Sequence, residues 1–274
     1  MSVRGGALHP DRAAALAAWA ARVRANREQV DKVRERADGD FYAPVAASFG
    51  FDAAQAEDPL VGALGALVRP DDVVLDIGAG GGRVAVPLAR VARRVIALDP
   101  SPGMLAVLRA AVAAAAVQNI DVVEARWPMR EPTVVADVTL AVNVAYDVED
   151  IGGFLDAMEG AARRLCIAVL LEVPPPHEID ALWARVHGEP RATLPALPEF
   201  LALQLARGRL CEVRLIERPP GGATDPAAFL ARARRMLWVS EGSVKDQALR
   251  ELLAEPRAPV PPLRLGVVSW SPSS

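Results

Sequence analysis

Residues Val73 to Arg83 read VVLDIGAGGGR: an apolar run ends in an acid and passes at once into a glycine-rich turn. The turn carries Asp76, Gly78, Gly80 and Gly82, spaced as Asp-x-Gly-x-Gly-x-Gly. A buried strand that stops in such a turn and restarts as a helix brings bare backbone, and the positive end of a helix, against an anionic or polar ligand. Glycine suits the turn because a Cβ would hold the ligand off and because such turns often need positive φ. A tight strand-to-helix turn with no ligand is the plainer alternative, and a lone glycine loop would not decide against it.

The next acid does. After a helix-compatible stretch from Arg83 to Arg93, Val95 to Leu98 is a second short apolar run, and it ends at Asp99. An acid at the end of the second strand of a β-α-β unit, about 20 residues past the glycines, is placed to accept both hydroxyls of a ribose. Asp99 also reads as a helix-capping acid, but Ser101 is the better N-cap, with Pro102 at the first helical position. That leaves Asp99 available to a ligand.

A nicotinamide or flavin fingerprint is Gly-x-Gly-x-x-Gly/Ala, whereas the position three after Gly80 is Arg83, whose side chain would crowd helix against strand. Asp76 before alternating glycines resembles motif I of the class I S-adenosylmethionine-dependent methyltransferases. The resemblance continues through VIALDPSPGML (Val95 to Leu105), NIDVVEARWP (Asn119 to Pro128) and ADVTLAVNVAYDVEDI (Ala136 to Ile151), covering roughly residues 70 to 170. It implies S-adenosylmethionine as cofactor. It also implies a cofactor site lined by Asp76, Gly78, Ala79, Gly80, Gly82, Asp99, Pro100, Met104, Ala125, Arg126, Trp127, Asn143 and Val144. Two positions depart from the pattern. The family often carries Gly-Asp-Ala after the third strand, where Ala125, Arg126 and Trp127 stand here, so the adenine contact falls to backbone or to Glu124. Pro87 sits early in the helix after the turn, removing a hydrogen bond whose loss costs up to about 3 kcal/mol in a helix interior; a local kink is expected.

With 274 residues and 52% hydrophobic content the chain can bury one large core. A formal net charge of −3 gives no sign of a polyanion partner, so nucleic acid is not the expected substrate. Cys166 and Cys211 begin apolar runs and read as buried free thiols, which fits a reducing cytoplasm. No apolar run approaches the roughly 18 residues of a membrane span, and Arg4, His9, Asp11 and Arg12 break up any N-terminal signal region.

The expected fold is α/β: a Rossmann-like, seven-stranded, mostly parallel sheet with helices on both faces and a helical N-terminal cover. Residues 1–69 form the cover and 70–274 the core, with an insertion at 174–195. Residues 11–37 read as a helix ended by Gly39, either docked or acting as a lid, and Phe41, Tyr42, Phe49 and Phe51 lead into a second helix. Strands are expected near 73–77, 94–98, 120–124, 138–142, 165–171, 212–217 and 265–269. Helices are expected near 83–92, 102–116, 151–163, 178–186, 198–206, 226–239 and 244–254, with the Ser271 to Ser274 tail disordered.

Methyl transfer from a sulfonium needs a nucleophile aligned at about 3 Å and water excluded, with a base only if the nucleophile is protonated. The resemblance points to the loop Asn143 to Asp147 as the lining of the transfer site. Asn143-Val144-Ala145-Tyr146 is similar to the Asn-Pro-Pro-Tyr motif of amino-methylating nucleic-acid enzymes, but both prolines are missing. Tyr146 and His187 are the catalytic candidates, each with a packing role as the alternative; His187 is preferred to His177 because it lies in a turn-like loop. Trp127 and Trp183 are candidate apolar walls. Asp147, Glu149 and Asp150 cluster, but as solvating or helix-starting acids and not as a metal site. The resulting expectation is S-adenosylmethionine-dependent methylation of a small-molecule acceptor. Methylation of RNA or protein, a catalytically silent cofactor-binding module and a nicotinamide-dependent oxidoreductase stand as alternatives.

Overall fold

The computed structural model describes residues 11–34, 50–51, 58–129, 134–175, 177–218, 225–255 and 262–272. Seven strands form one sheet in the order β3-β2-β1-β4-β5-β7-β6: β1 (Val73–Ile77), β2 (Arg94–Asp99), β3 (Ile120–Glu124), β4 (Ala136–Val142), β5 (Ala162–Leu171), β6 (Glu212–Arg218) and β7 (Leu263–Trp270). The pairs among β1 to β5 are parallel, and β7 runs antiparallel between β5 and β6. All seven expected strands are present, and β1 is buried along its whole length, as a strand covered on both faces must be.

Strand order runs outward in one direction from β1 to β3 and in the other from β4 to β5. Right-handed crossovers therefore place the helices of the two halves on opposite faces and open a crevice at the carboxyl ends of β1 and β4. The connecting helices are α4 (Pro102–Ala115), N-capped by Ser101, and α5 (Ile151–Ala161), N-capped by Asp150. Between β1 and β2 only α3 (Ala85–Leu88) forms, where the sequence suggests a helix over 83–92. Pro87 has no N–H to bond back to Arg83, and the chain leaves the helix after Ala89 in tight turns to Leu88 and Pro87 carbonyls. The expected kink is thus a truncation.

The cover contributes α1 (Arg12–Val33), capped by Asp11, and α2 (Pro59–Gly65), capped by Asp58. The expected helix end at Gly39, and Phe41, Tyr42 and Phe49, lie outside the described residues. Trp19, Val23, Asn26 and Val30 make the buried stripe of α1. Trp19 and Val23 join the sheet core, while Val30 belongs to a second hydrophobic cluster. That cluster is made by α6 (His177–His187), α8 (Pro226–Met236) and α9 (Val244–Ala254), around Trp183, Phe229, Leu237 and Leu249. α7 (Leu197–Ala206) packs on the sheet instead, with Leu197 and Phe200 in its core. Cys166 is buried, Cys211 partly so, and both are free thiols. Among the described residues no helix is long and apolar enough to cross a membrane.

Candidate active site

The glycine turn is held by backbone. Gly78 and Ala79 N–H groups both donate to the Leu98 carbonyl, at 2.7 and 3.0 Å, which folds the turn over the end of β2. Gly78, Gly80 and Gly82 have φ of +73°, +55° and +88°, a region that side chains with a Cβ seldom enter. Their surroundings differ. A Cβ on Gly78 would meet Val144 Cγ2 at 2.5 Å and one on Gly82 would meet Leu108 Cδ1 at 2.4 Å, while above Gly80 the nearest atom is Met104 Sδ at 3.8 Å. Gly78 and Gly82 are therefore glycines because protein packs against them, and Gly80 is the one that leaves space. Arg83 does not crowd the helix; it turns away to pair with Asp58 Oδ2 at 2.8 Å, tying the turn to the N-cap of α2. Gly50 bridges to Gly82, so the cover reaches the turn, a contact that no sequence pattern announces.

Two carboxylates stand at the strand ends. Asp76, on β1, is almost fully buried, and its Oδ2 has no hydrogen-bond partner among the described residues. Burial, with Asp99 nearby, pushes its pKa up to about 7. Asp99 does not cap α4, since Ser101 Oγ takes the Met104 N–H. Nor is it simply available to a ligand, as the sequence suggests: its carboxylate accepts the Gly80 N–H (2.9 Å) and the Ser101 N–H (2.8 Å). Asp99 thus buttresses the turn through its carboxylate. Glu124 is paired with Asp99 across β2 and β3, and the Ala125 N–H bonds to the Asp99 carbonyl, which brings the Ala125–Trp127 segment beside the turn. Pro100 and Arg126 are exposed there, Met104 is buried, and the Trp127 Nε1–H donates to the Phe154 carbonyl.

Across the crevice, β4 ends in Asn143, with φ of +57°, and Val144, the residue packed on Gly78. A 3₁₀ turn, Ala145–Asp147, follows. Tyr146 is buried, and its hydroxyl accepts from the Leu171 N–H (2.6 Å) and donates to Asn143 Oδ1 (2.9 Å). Burial drives its pKa far above the usual phenol value, and its two hydrogen bonds tie the loop to β5. His187, the other catalytic candidate, lies apart from Tyr146. It stacks on Trp183 at 4.5 Å, and its Nε2 lies 2.9 Å from the Leu237 carbonyl, which groups it with the second hydrophobic cluster and not with Tyr146. Trp183, fully buried in that cluster, walls the helices and not the crevice. His177 opens α6, and its side chain lies outside the described residues.

The acids of the loop separate into three roles. Glu149 is gripped by Arg24 and Arg27 of α1, each at 2.8 Å, and those guanidinium groups lower its pKa. Asp150 caps α5 through the Gly153 N–H. The Asp147 carboxyl is raised by its protein surroundings, against the pull of Arg27 and Arg126. With the Trp19 Nε1–H on the Val148 carbonyl (2.9 Å), these contacts dock α1 over the loop, and at its far end Asn26 and Gln29 hold Ala192 and Pro190.

A family model described as a methyltransferase domain matches residues 74–165, the stretch from β1 into β5. The ubiquinone biosynthesis O-methyltransferase of Azorhizobium caulinodans is 37% identical over 86 residues, which are 30% of this chain and 32% of that protein. The protein-L-isoaspartate O-methyltransferase of Methanoregula boonei is 35% identical over 89 residues, 32% of this chain and 41% of that one. The chain thus aligns with less than half the length of these curated relatives. A crystal structure of a methyltransferase from Thiobacillus denitrificans in complex with S-adenosylhomocysteine shares the fold, with a TM-score of 0.51 and 18% identity over 81% of this chain and 92% of that one.

Proposed function

We propose that this class I S-adenosylmethionine-dependent methyltransferase domain carries a methyl group from S-adenosylmethionine to a small-molecule acceptor. The observation that carries the reading is the orphaned Oδ2 of Asp76, a buried carboxyl oxygen set at the mouth of three positive-φ glycines. A buried acid without a partner is costly unless a ligand supplies one, and the ammonium group of a methionine moiety does so. The cofactor brings a methyl group already activated on a sulfonium. The chain's own residues then bind and orient. Gly80 leaves the backbone bare, Asp99 stands at the ribose position, Met104 and Ala125 to Trp127 flank the base, and Asn143 with Val144 bounds the methyl end. The docked α1 limits access of water from the loop side.

A small acceptor is supported by the absence of any basic excess, at a net charge of −3, and by the ubiquinone-pathway relative. The protein-L-isoaspartate relative supports protein methylation as the second reading. A cytoplasmic setting fits the thiols of Cys166 and Cys211, whose pKa values burial pushes up to about 12 and about 11, leaving both protonated.

The test is thermal unfolding with added ligand. S-adenosylhomocysteine at 100 times its dissociation constant should stabilise the chain by about 2.7 kcal/mol, and NADH should leave the midpoint unmoved. A shift with NADH alone would overturn the assignment.

A further inference from the structure

The loop after β4 contains a hydrogen-bond chain whose polarity is set by its buried end. The Leu171 N–H donates to the Tyr146 hydroxyl oxygen at 2.6 Å, and that hydroxyl lies 2.9 Å from the Asn143 side chain. An amide N–H can only donate, so the hydroxyl is the acceptor at Leu171 and its own proton goes to Asn143. The Asn143 atom facing Tyr146 is therefore the carbonyl oxygen, and the Nδ2 group faces away. Asn143 is exposed, and among the described residues its Nδ2 makes no hydrogen bond. Its backbone is fixed by φ of +57° and by a bond from its N–H to the Val169 carbonyl, and the next residue, Val144, packs on Gly78 of the turn. An oriented donor thus stands at the crevice beside the glycine turn.

Resting on the methyl-transfer reading above, we infer that Tyr146 is a positioning residue that aims the Asn143 amide donor at the acceptor, and that this donor selects an oxygen anion, a carboxylate or acidic phenolate, over an amine. A neutral amine gains positive charge as it is methylated and needs acceptors around its N–H groups, so an N–H donor aimed at it opposes the reaction. An oxygen anion is held by the same donor through a charge-assisted hydrogen bond. In the transfer step a lone pair of the oxygen forms the new O–CH₃ bond while the S–CH₃ bond breaks and its pair stays on sulfur. A neutral ester or ether and a neutral thioether result. No proton is left over, so no base is required. That agrees with a Tyr146 hydroxyl engaged on both sides and a His187 packed among the cap helices.

The test uses the full chain, trideuteromethyl S-adenosylmethionine and a low-molecular-weight extract of bacterial cells, with products read by mass spectrometry and by lability to alkali. Calorimetry with S-adenosylhomocysteine runs beside it. Wild type should place the label on oxygen. Asn143→Asp keeps an acceptor for Tyr146 but replaces the donor by a second carboxylate oxygen, and should lower kcat/KM for those acceptors by about tenfold or more while S-adenosylhomocysteine affinity moves by less than about threefold. Tyr146→Phe should lower kcat with the same sparing of S-adenosylhomocysteine affinity. Label on nitrogen or carbon, or an undiminished Asn143→Asp, overturns the proposal; so does a Tyr146→Phe that loses affinity and turnover together, which would make Tyr146 structural only. If S-adenosylhomocysteine binds but no labelled product forms, the methyl-transfer reading itself fails and takes this inference with it.

Discussion

At the carboxyl edge of β1 and β2 the backbone does the positioning, whereas in the cap of α6, α8 and α9 the side chains do. The edge is a turn of positive-φ glycines pinned by N–H groups to the Leu98 carbonyl and the Asp99 carboxylate, and the Oδ2 of its buried Asp76 has no hydrogen-bond partner among the described residues. The cap is held by paired charge and packed rings: Asp246 takes Arg234 at 2.7 and 2.8 Å and the Gly242 N–H at 2.9 Å, and Arg191 lies 5.1 Å over Trp183. The contrast teaches that the edge leaves a buried carboxylate oxygen incomplete at the place a ligand would complete it, while in the cap the buried carboxylate Asp246 is matched by the protein's own donors, even though Trp183 Nε1 stays unbonded among the described residues.

The largest effect should come from the unfinished acid. The folded pKa of Asp76, about 7, lies well above the ordinary aspartate value of 3.8. The folded chain therefore holds a proton that the unfolded chain has released, and stability without ligand falls as pH rises between those values, by up to about 4 kcal/mol. Asp76→Asn should flatten that slope in denaturant titrations at pH 5 and pH 8. An equal slope in wild type and variant would break the comparison at its strongest point.

Asp246 should behave in the opposite sense. Arg234 holds its carboxyl below the usual range, so its contribution is complete above the unfolded carboxylate pKa and is lost only as pH falls through the lower folded value. At neutral pH Asp246→Ala should cost about 3 kcal/mol, because it removes the buried partner of Arg234, leaving it only the exposed Glu241, and strands the Gly242 N–H, and it should leave S-adenosylhomocysteine affinity unchanged. Calorimetric binding beside urea unfolding reads both quantities, and a loss of ligand affinity would mean that the cap is part of the cofactor site.

The smallest effect compares two glycines of the same backbone sign. Gly82→Ala combines a φ of +88° with a Cβ 2.4 Å from the buried Leu108 Cδ1, for a cost of about 2–3 kcal/mol. Gly188→Ala, at φ +78° with nothing within 4 Å of the added Cβ, should cost about 1 kcal/mol from the backbone alone. Equal unfolding midpoints for the two variants would mean that the packing around the turn gives way freely.

The same contrast explains what was legible in the sequence. β1 and the glycine turn could be read because strand, turn and acid follow one another within a few residues, and the period of the pattern is the structure. The role of Asp99 was legible in part: its place at the end of β2 was, but its grip on the Gly80 N–H was not, since that bond crosses between strands. The helix after the turn is shorter than its apolar residues suggest: they continue past Pro87, whereas α3 ends at Leu88 in tight turns. The contacts of Tyr146 and His187 were not legible for one reason. Their roles depend on the Leu171 N–H and the Leu237 carbonyl, 25 and 50 residues away in sequence, and no local pattern records such partners.

The partners of α1 carry a consequence for the order in which the protein is made. Its hydrogen bonds to the rest of the fold reach residues between 122 and 177 positions downstream, so α1 leaves the ribosome well before anything it will rest on. Trp19, Val23 and Val30 are then an uncovered apolar stripe on a nascent helix for the seconds that elongation takes, at about 5–20 residues per second. The sheet and the cap have each to form before this stripe can be buried, Trp19 and Val23 against one and Val30 against the other. The stripe of α1 can therefore be fully enclosed only once both cores are in place, and it then spans them as a clasp.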